Sequence, residues 1–491
     1  MRRDINKIIL SLLLAVGLFP AHSQAQHTVT ADWGKTLVTS KTTPTLQLVE
    51  NPMVRPGSPI HKNVFKALKD LQADYLRYVP WFPYPKMAVA ELLPPTRTET
   101  FWDFTYLDST MQAVMEATKG HPVVINFSTT PAWMWETAEK VPYPEDPYKT
   151  TWNYNQGTKL RDPSMKELAD YYARVFRWYT QGGFTDELGK FHKSGHYYKI
   201  PYWEVLNEPD LEHNVSPPLY TAMYDAIVSE LKKISPETKF VGISVAFSNN
   251  PEYFEYFLNA KNHKRGVNVE CISYHHYSTP SFEGQALESY QYTFFEKADA
   301  FLERVRYIEN IRKRLSPQCI TMINELGVIL RGPEVSGPID NNYWNLAGAL
   351  YAHLFLELTK MGIDVVGESQ LVGYPSQFPD VSMVNWKNGN GNPRYWVLKL
   401  LIDNFHPGDK LVQTNSTVPG VATQGFAGPG SKRILLINKK NTRVEMTLPQ
   451  ATGTAKIRYV DITTGENPPG SATVSDGKIV LEPFSVAVVE L

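Results

Sequence analysis

Between about residues 44 and 405, short apolar runs alternate with longer amphipathic stretches. The short runs fall at 46–49, 75–79, 123–127, 202–206, 240–245, 269–274, 320–323 and 363–366. They show little apolar–polar alternation, so they read as strands buried on both faces, as parallel strands are. Between them, apolar residues recur at helical spacing. Tyr220, Met223, Tyr224, Ile227, Val228, Leu231 and Ile234 trace one helical face. Ser216 and Pro217 mark the start of that helix and Pro236 its end. Further helices are expected at about 61–72, 164–181, 285–315 and 343–361. Eight strands interleaved with helices predict an α/β fold, a (β/α)8 TIM barrel over residues 44–405. A doubly wound open sheet is the alternative, but no Gly-rich nucleotide fingerprint follows the first strand.

After His406-Pro407-Gly408 the period changes. Short alternating runs at 433–437, 456–460, 478–481 and 486–489 are separated by turn signals, among them Asp476-Gly477 and Pro468-Pro469-Gly470. They predict an antiparallel β-sandwich over 409–491. Residues 26–43 are available to pair with it, which would bring the chain ends together. At the start, Arg2, Arg3 and Lys7 precede the apolar run 8–19, and Ser23-Gln24-Ala25 offers small residues for cleavage. This pattern predicts a signal peptide over 1–25. Its apolar run is too short for a membrane span. The expected location is secreted or periplasmic.

Composition narrows the function classes. The net charge is -1, which argues against a nucleic-acid or anionic-membrane partner. Cys271 and Cys319 are the only cysteines, too few for a disulfide framework. Two buried thiols are expected, with a single bridge between neighbouring strands as the alternative. No His/Asp/Glu cluster has metal-site spacing and no G-x-S-x-G occurs, so no cofactor, metal or serine nucleophile is expected. The 11 Trp and 27 Tyr suit a carbohydrate partner, because flat rings stack on sugars. Oligomeric state leaves no mark in the sequence.

Barrel enzymes work at the C-terminal ends of their strands. Polar residues there are Arg77, Asn126, Asn207, Glu208, His275, His276, Tyr277, Asn324, Glu325, Glu368 and Gln370. Glu208 and Glu325 end the fourth and seventh strands and would face each other across the barrel mouth. Glycoside hydrolysis with retention needs such a pair, one carboxylate as nucleophile and one carboxyl as proton donor. The donor requires a raised pKa and the nucleophile an ionised state. Arg77, His275 and Tyr277 could supply the supporting charges and hydroxyl, and Asn207 could bond the sugar 2-OH. Strict alternation would send Asn207 and Glu208 to opposite faces, so the strand must bulge or end there. Trp133 and Trp135 are candidate stacking platforms or wall residues, as is Trp81. Glu368 is placed either to touch the sugar or to balance a base. Glu204 is expected in an internal polar layer and His276 in a structural role. The loop 136–163, rich in Pro, Tyr, Trp and Asn, is expected to wall the pocket.

Trp203-Glu204-Val205-Leu206-Asn207-Glu208-Pro209-Asp210 resembles the acid/base motif of the large clan of retaining barrel glycosidases. Its continuation, Leu219-Tyr220 through Ile234-Ser235-Pro236-Glu237-Thr238-Lys239, is similar to glycoside hydrolase family 39, as are Ile272-Ser273-Tyr274-His275-His276-Tyr277 and Met322-Ile323-Asn324-Glu325. The resemblance spans most of 44–405. It implies Glu208 as acid/base, Glu325 as nucleophile, and Asn207, His275 and Tyr277 as pocket residues. Leu206, where the family has Trp, and Leu326-Gly327 depart from its pattern and leave the sugar open. The expected activity is an exo-acting retaining glycosidase on oligo- or polysaccharides. The alternative is a barrel that binds glycan without cleaving it in a carbohydrate uptake system.

Overall fold

The computed structural model describes residues 27–154, 157–282, 284–330, 332 and 339–491; the expected signal segment 1–25 lies outside them. Strand β1 (Val29–Thr39) comes first. It is followed by β2 (Thr43–Val49), β3 (Leu76–Val79) and β4 (Val123–Ile125). A small hairpin, β5 (Gly183–Thr185) and β6 (Phe191–Lys193), precedes β7 (Tyr202–Glu204), β8 (Lys239–Val245), β9 (Cys271–Ser278), β10 (Ile320–Val328) and β11 (Val365–Glu368). Strands β2, β3, β4 and β7–β11 pair in parallel in that order, and β11 returns to β2, closing an eight-stranded barrel. Each of the eight apolar runs became one of its strands.

The expected helices form at His61–Leu71, Lys166–Thr180, Pro217–Ile234, Tyr290–Leu315 and Asn341–Met361. Thr105–Ala117, Pro251–Phe257 and Pro393–Asn404 add to them. Pro217 and Pro393 both stand in a first turn, where a missing N–H leaves no helical bond unmade. Leu168, Tyr171, Tyr172, Val175, Phe176 and Tyr179 give Lys166–Thr180 its buried face. Among the described residues no helix is long and apolar enough to cross a membrane.

The remaining strands are β12 (Lys410–Ser416), β13 (Val421–Gly428), β14 (Ser431–Asn438), β15 (Val444–Val460), β16 (Gly470–Leu481) and β17 (Val486–Glu490). With β1 they form an antiparallel sheet in the order β1-β12-β13-β14-β17-β15-β16. The sheet folds back on itself. Thr28 bridges Thr447, and the Gln450 side chain bonds both the N–H and the C=O of Ala31. The two-residue strand period then serves two cores. Ile434, Leu436, Ala487 and Val489 fill the sandwich, while Leu435, Ile437, Val486 and Val488 join the core that continues into the barrel. Asp476-Gly477 does not end a strand as expected. It lies inside β16, where the pairing with β15 shifts register, and Gly477 takes φ +73 beside the Leu448 carbonyl. This is a bulge built on a left-handed glycine. Cys271 and Cys319 are both buried and unbridged.

Candidate active site

The strand period also layers the barrel interior. Val124, Tyr202, Val241, Cys271, Met322 and Val365 form an apolar floor. Two residues further along their strands stand Asn126, Glu204, Ser273 and Asn324, and these make a polar layer centred on one carboxylate. Glu204 Oε2 accepts from Arg77 Nε and Asn126 Nδ2, both at 2.5 Å. Its Oε1 accepts from Ser273 Oγ at 2.5 Å and from Asn324 Nδ2 at 2.8 Å. Burial works against that charge, and Arg77 with these donors outweighs it, so the Glu204 pKa falls below the usual value.

The next level carries Glu208, His275, Tyr277 and Glu325. Two backbone irregularities put both glutamates there. Past β7, Leu206 and Glu208 take φ values of 62° and 41°. The chain leaves the extended conformation, and Asn207 and Glu208 both reach the cavity. On β10 the register slips against β9 between Met322 and Glu325 and against β11 between Ile323 and Leu326. Asn324 therefore bonds Glu204 below while Glu325 reaches the top. Gly367 on β11 leaves room for this, because a Cβ there would meet the Asn324 backbone at 3.0 Å.

Arg77 joins the two levels. Besides Glu204 it donates from Nη1 to Gln47 Oε1 at 2.6 Å and Glu325 Oε2 at 2.8 Å, and from Nη2 to Asn207 Oδ1 at 2.5 Å and Ser244 Oγ at 3.1 Å. The Tyr277 hydroxyl donates to Glu325 Oε1 at 2.6 Å and sits 2.5 Å from Ser369 Oγ. Both Glu325 oxygens thus face a donor. Among the described residues the Glu208 carboxylate has one close partner, His275 Nδ1 at 2.8 Å from Oε1. The same nitrogen lies 3.4 Å from Glu325 Oε2, and His275 Nε2 lies 3.2 Å from Ser244 Oγ. Burial raises the Glu208 pKa, the His275 hydrogen bond opposes this, and the charge of Glu325 adds to the rise. For His275, burial alone would depress the pKa, but Glu325 and Glu208 together raise it. The two glutamate side chains are 12% and 13% exposed, enough for a ligand to reach their oxygens and little enough to keep them partly desolvated.

Above them opens a cavity of about 1020 Å³. Trp81, Phe82, Trp152 and Phe378 make one aromatic wall, with Trp81 and Trp152 edge to face at 5.4 Å. Trp152 comes from the loop after β4 that was expected to wall the pocket. Glu212 Oε1 accepts from Trp81 Nε1 and Asn207 Nδ2, both at 2.7 Å, fixing the indole beside the glutamates. Arg77, Asn207, Glu208, His275, His276, Tyr277, Glu325 and Gln370 all line the cavity.

Three expected residues do not. Trp133 donates to the Glu91 carbonyl at 2.9 Å and has Arg161 over its ring. Trp135 is buried, bonds Thr130 and stacks on His213 at 4.2 Å. The short helical turn Ala132–Met134 directs both indoles into packing behind the pocket. Glu368 is fully buried with Arg394, which donates to it at 2.8 Å, so it balances a base and does not meet a sugar. His276 stacks on Phe301 at 4.4 Å, and burial first, then Arg304 and Lys297, push its pKa down to about 3. Sequence reasoning passed over Glu212, Ser244, Ser369, Trp152 and Phe378. Glu212 had a signal, since it follows Glu208 by one helical turn and its N–H bonds the Glu208 carbonyl. The two serines had none.

Among the described residues, Glu208, His275 and Glu325 are the group whose ligating atoms, within 4.8 Å of one another, could hold a metal ion. Their own chemistry already balances. The Arg77 guanidinium supplies the cation at Glu325, and both His275 nitrogens face hydrogen-bond partners.

No protein-family model and no curated protein sequence matches this chain. Solved structures do. A GH51 arabinofuranosidase from Xanthomonas axonopodis pv. citri superposes with a TM-score of 0.66 at 12% identity, covering 95% of this chain and 100% of that one. A GH30 endoxylanase from Clostridium papyrosolvens C71 gives 0.53 at 14% identity, over 94% and 99%. A conserved exported protein from Bacteroides fragilis gives 0.61 at 13% identity, over 94% and 100%. The chain therefore has the fold of these proteins, a closed (β/α)8 barrel with a C-terminal β-sandwich.

Proposed function

We propose that the protein is a retaining, exo-acting glycoside hydrolase, exported from the cell, with Glu325 as nucleophile and Glu208 as acid/base. The observation that carries this reading is the asymmetry of the carboxylate pair. Glu208 and Glu325 present oxygens within 4.8 Å of each other, which suits the short carboxyl separation of retaining enzymes, about 5–5.5 Å. Glu325 is held by a guanidinium and a phenol, while burial and the Glu325 charge favour a proton on Glu208.

In the first step a Glu325 oxygen bonds to the anomeric carbon as its bond to the leaving oxygen breaks, and Glu208 gives that oxygen its proton. In the second, Glu208 takes a proton from water, the water oxygen bonds to the anomeric carbon, and Glu325 leaves as a carboxylate. His275 steadies Glu208 throughout. Asn207, fixed between Arg77 and Glu212, is placed for the sugar 2-OH. The aromatic wall of Trp81, Trp152 and Phe378 blocks one side of the cavity, which favours action at a chain end. Motifs at 203–210, 219–239 and 272–277 support kinship with family 39, and the arabinofuranosidase and endoxylanase likenesses support a plant-polysaccharide substrate. The apolar run 8–19 and the likeness to an exported protein support a secreted or periplasmic location.

A panel of activated 2-deoxy-2-fluoro glycosides tests the assignment. One of them should inactivate the enzyme and add one glycosyl mass to the peptide bearing Glu325. Labelling elsewhere removes Glu325 as nucleophile. Glycan binding with no cleavage of any glycoside in a broad panel favours the non-catalytic barrel.

A further inference from the structure

The cavity also holds in its lining two cations that the proposed reaction does not use. Lys297, Ala300 and Arg304 line it from helix Tyr290–Leu315. Their spacing of three and four residues puts them on one helix face. The two cations stand two turns apart, a rise of about 10 Å, and Ala300 between them contributes only a methyl group. Among the described residues neither cation has a carboxylate partner. Lys297 Nζ donates to Thr279 Oγ1 at 2.9 Å and the Pro280 carbonyl at 3.2 Å, which leaves a third N–H. Arg304 spends Nε on Ser248 Oγ at 3.3 Å, and its two terminal nitrogens make no other bond among the described residues. Both side chains are partly exposed, and what burial they have lowers the pKa of each. A partly desolvated cation with no carboxylate partner among the described residues gains from an arriving anion. The cavity's own carboxylates do not serve: Glu208 is taken by His275, Glu325 by Arg77, and Glu212 by Trp81 and Asn207.

We propose that Lys297 and Arg304 form a subsite for an anionic substituent on the glycan, a uronate carboxylate or a sulfate ester. This rests on the glycosidase reading for its link to turnover, but the binding it predicts does not. The Arg304 fork suits two oxygens of either anion side by side, with Lys297 as a point charge nearby. His276 also lines the cavity, and burial with the two cations pushes its pKa down to about 3, so it adds no competing charge there.

The test uses the Glu325→Gln variant, which holds substrate without forming the intermediate, on an array of matched neutral, uronate-bearing and sulfated oligosaccharides. Acidic glycans should be retained at least tenfold over their neutral counterparts, with the preference shrinking as salt rises from 0.05 to 0.5 M. Whether uronate or sulfate glycans are retained identifies the anion. Lys297→Met and Arg304→Met should each lower the acidic-to-neutral ratio at least fivefold, and Arg304→Lys should restore part of it. Preference for neutral glycans, equal retention, no retention of any acidic glycan at millimolar concentration, or a ratio unmoved by both Met variants overturns the subsite. Turnover is read separately in the wild type. Acidic glycans bound with no glycan of either kind cleaved would overturn the glycosidase reading and keep the subsite, while cleavage of neutral glycans without preferential binding of acidic ones would do the reverse.

Discussion

The Tyr277 hydroxyl donates to Glu325, the proposed nucleophile. A hydrogen bond to a charged group contributes about 1.5–3 kcal/mol, so Tyr277→Phe should lower kcat by about ten- to a hundredfold while the circular dichroism spectrum stays unchanged. A kcat within a factor of two of wild type would remove Tyr277 from the machinery. Arg77 carries more than catalysis. Arg77→Met would leave Glu204 buried with its cation gone, at a cost of about 3–5 kcal/mol, readable as a fall in the urea midpoint. Glu208, as the proposed proton donor, should set the pH profile. Burial and Glu325 hold the Glu208 pKa above the ordinary carboxylate value, and the donor works only while protonated. Activity should therefore fall as pH rises through that pKa, and Glu208→Gln should abolish this alkaline limb. At this scale the sequence was legible where residue type and strand end agreed, as for Glu208, Glu325, Arg77, His275 and Tyr277. It misled for Trp133 and Trp135, because an indole near a strand end serves a wall or a core equally well and only the turn at Ala132–Met134 decides.

At the scale of elements, the period-2 strands and period-3.6 helices were visible because buried parallel strands lack polar interruption. The backbone slips that aim the site were not. Nothing in Met322-Ile323-Asn324-Glu325 marks the extra residue that splits Asn324 from Glu325 between two levels. The bulge is set by tertiary pairing with β9 and β11 and not by local propensity. Glu50, just past β2, accepts from Tyr78 on β3 and from Thr110 on helix Thr105–Ala117. Burial outweighs these bonds and raises its pKa to about 8. The folded state then binds this proton more tightly than the unfolded state. The resulting stability is complete below the unfolded value of about 4.5 and is lost as pH rises through about 8. Glu50→Gln, neutral at every pH, should flatten the decline in melting temperature between pH 5 and pH 9. An unchanged slope would show that Glu50 is not its source.

For the whole molecule, the sandwich is a continuation of the barrel core, since alternate residues of β14 and β17 face each body. The change of period after His406 announced this domain, but β12 and β13 escaped notice because their apolar positions are sparse. β1 completes the sheet from the other end of the chain and buries Val29 and Ala31. Removing residues 27–39 should bare the β12 edge and lower the calorimetric melting temperature, since each fully buried Val contributes about 1.5–3 kcal/mol. A melting temperature equal to that of the longer chain would mean the sheet closes without β1. Azide distinguishes the proposed roles of the two glutamates. With an activated aryl glycoside, azide should restore Glu325→Ala and give a glycosyl azide of inverted configuration, because the small anion enters from the emptied nucleophile side. It should restore Glu208→Ala and give the retained product, because the azide then attacks the glycosyl–Glu325 intermediate. A Glu325→Ala variant that turns over like wild type, or products of the opposite configurations, would overturn these roles.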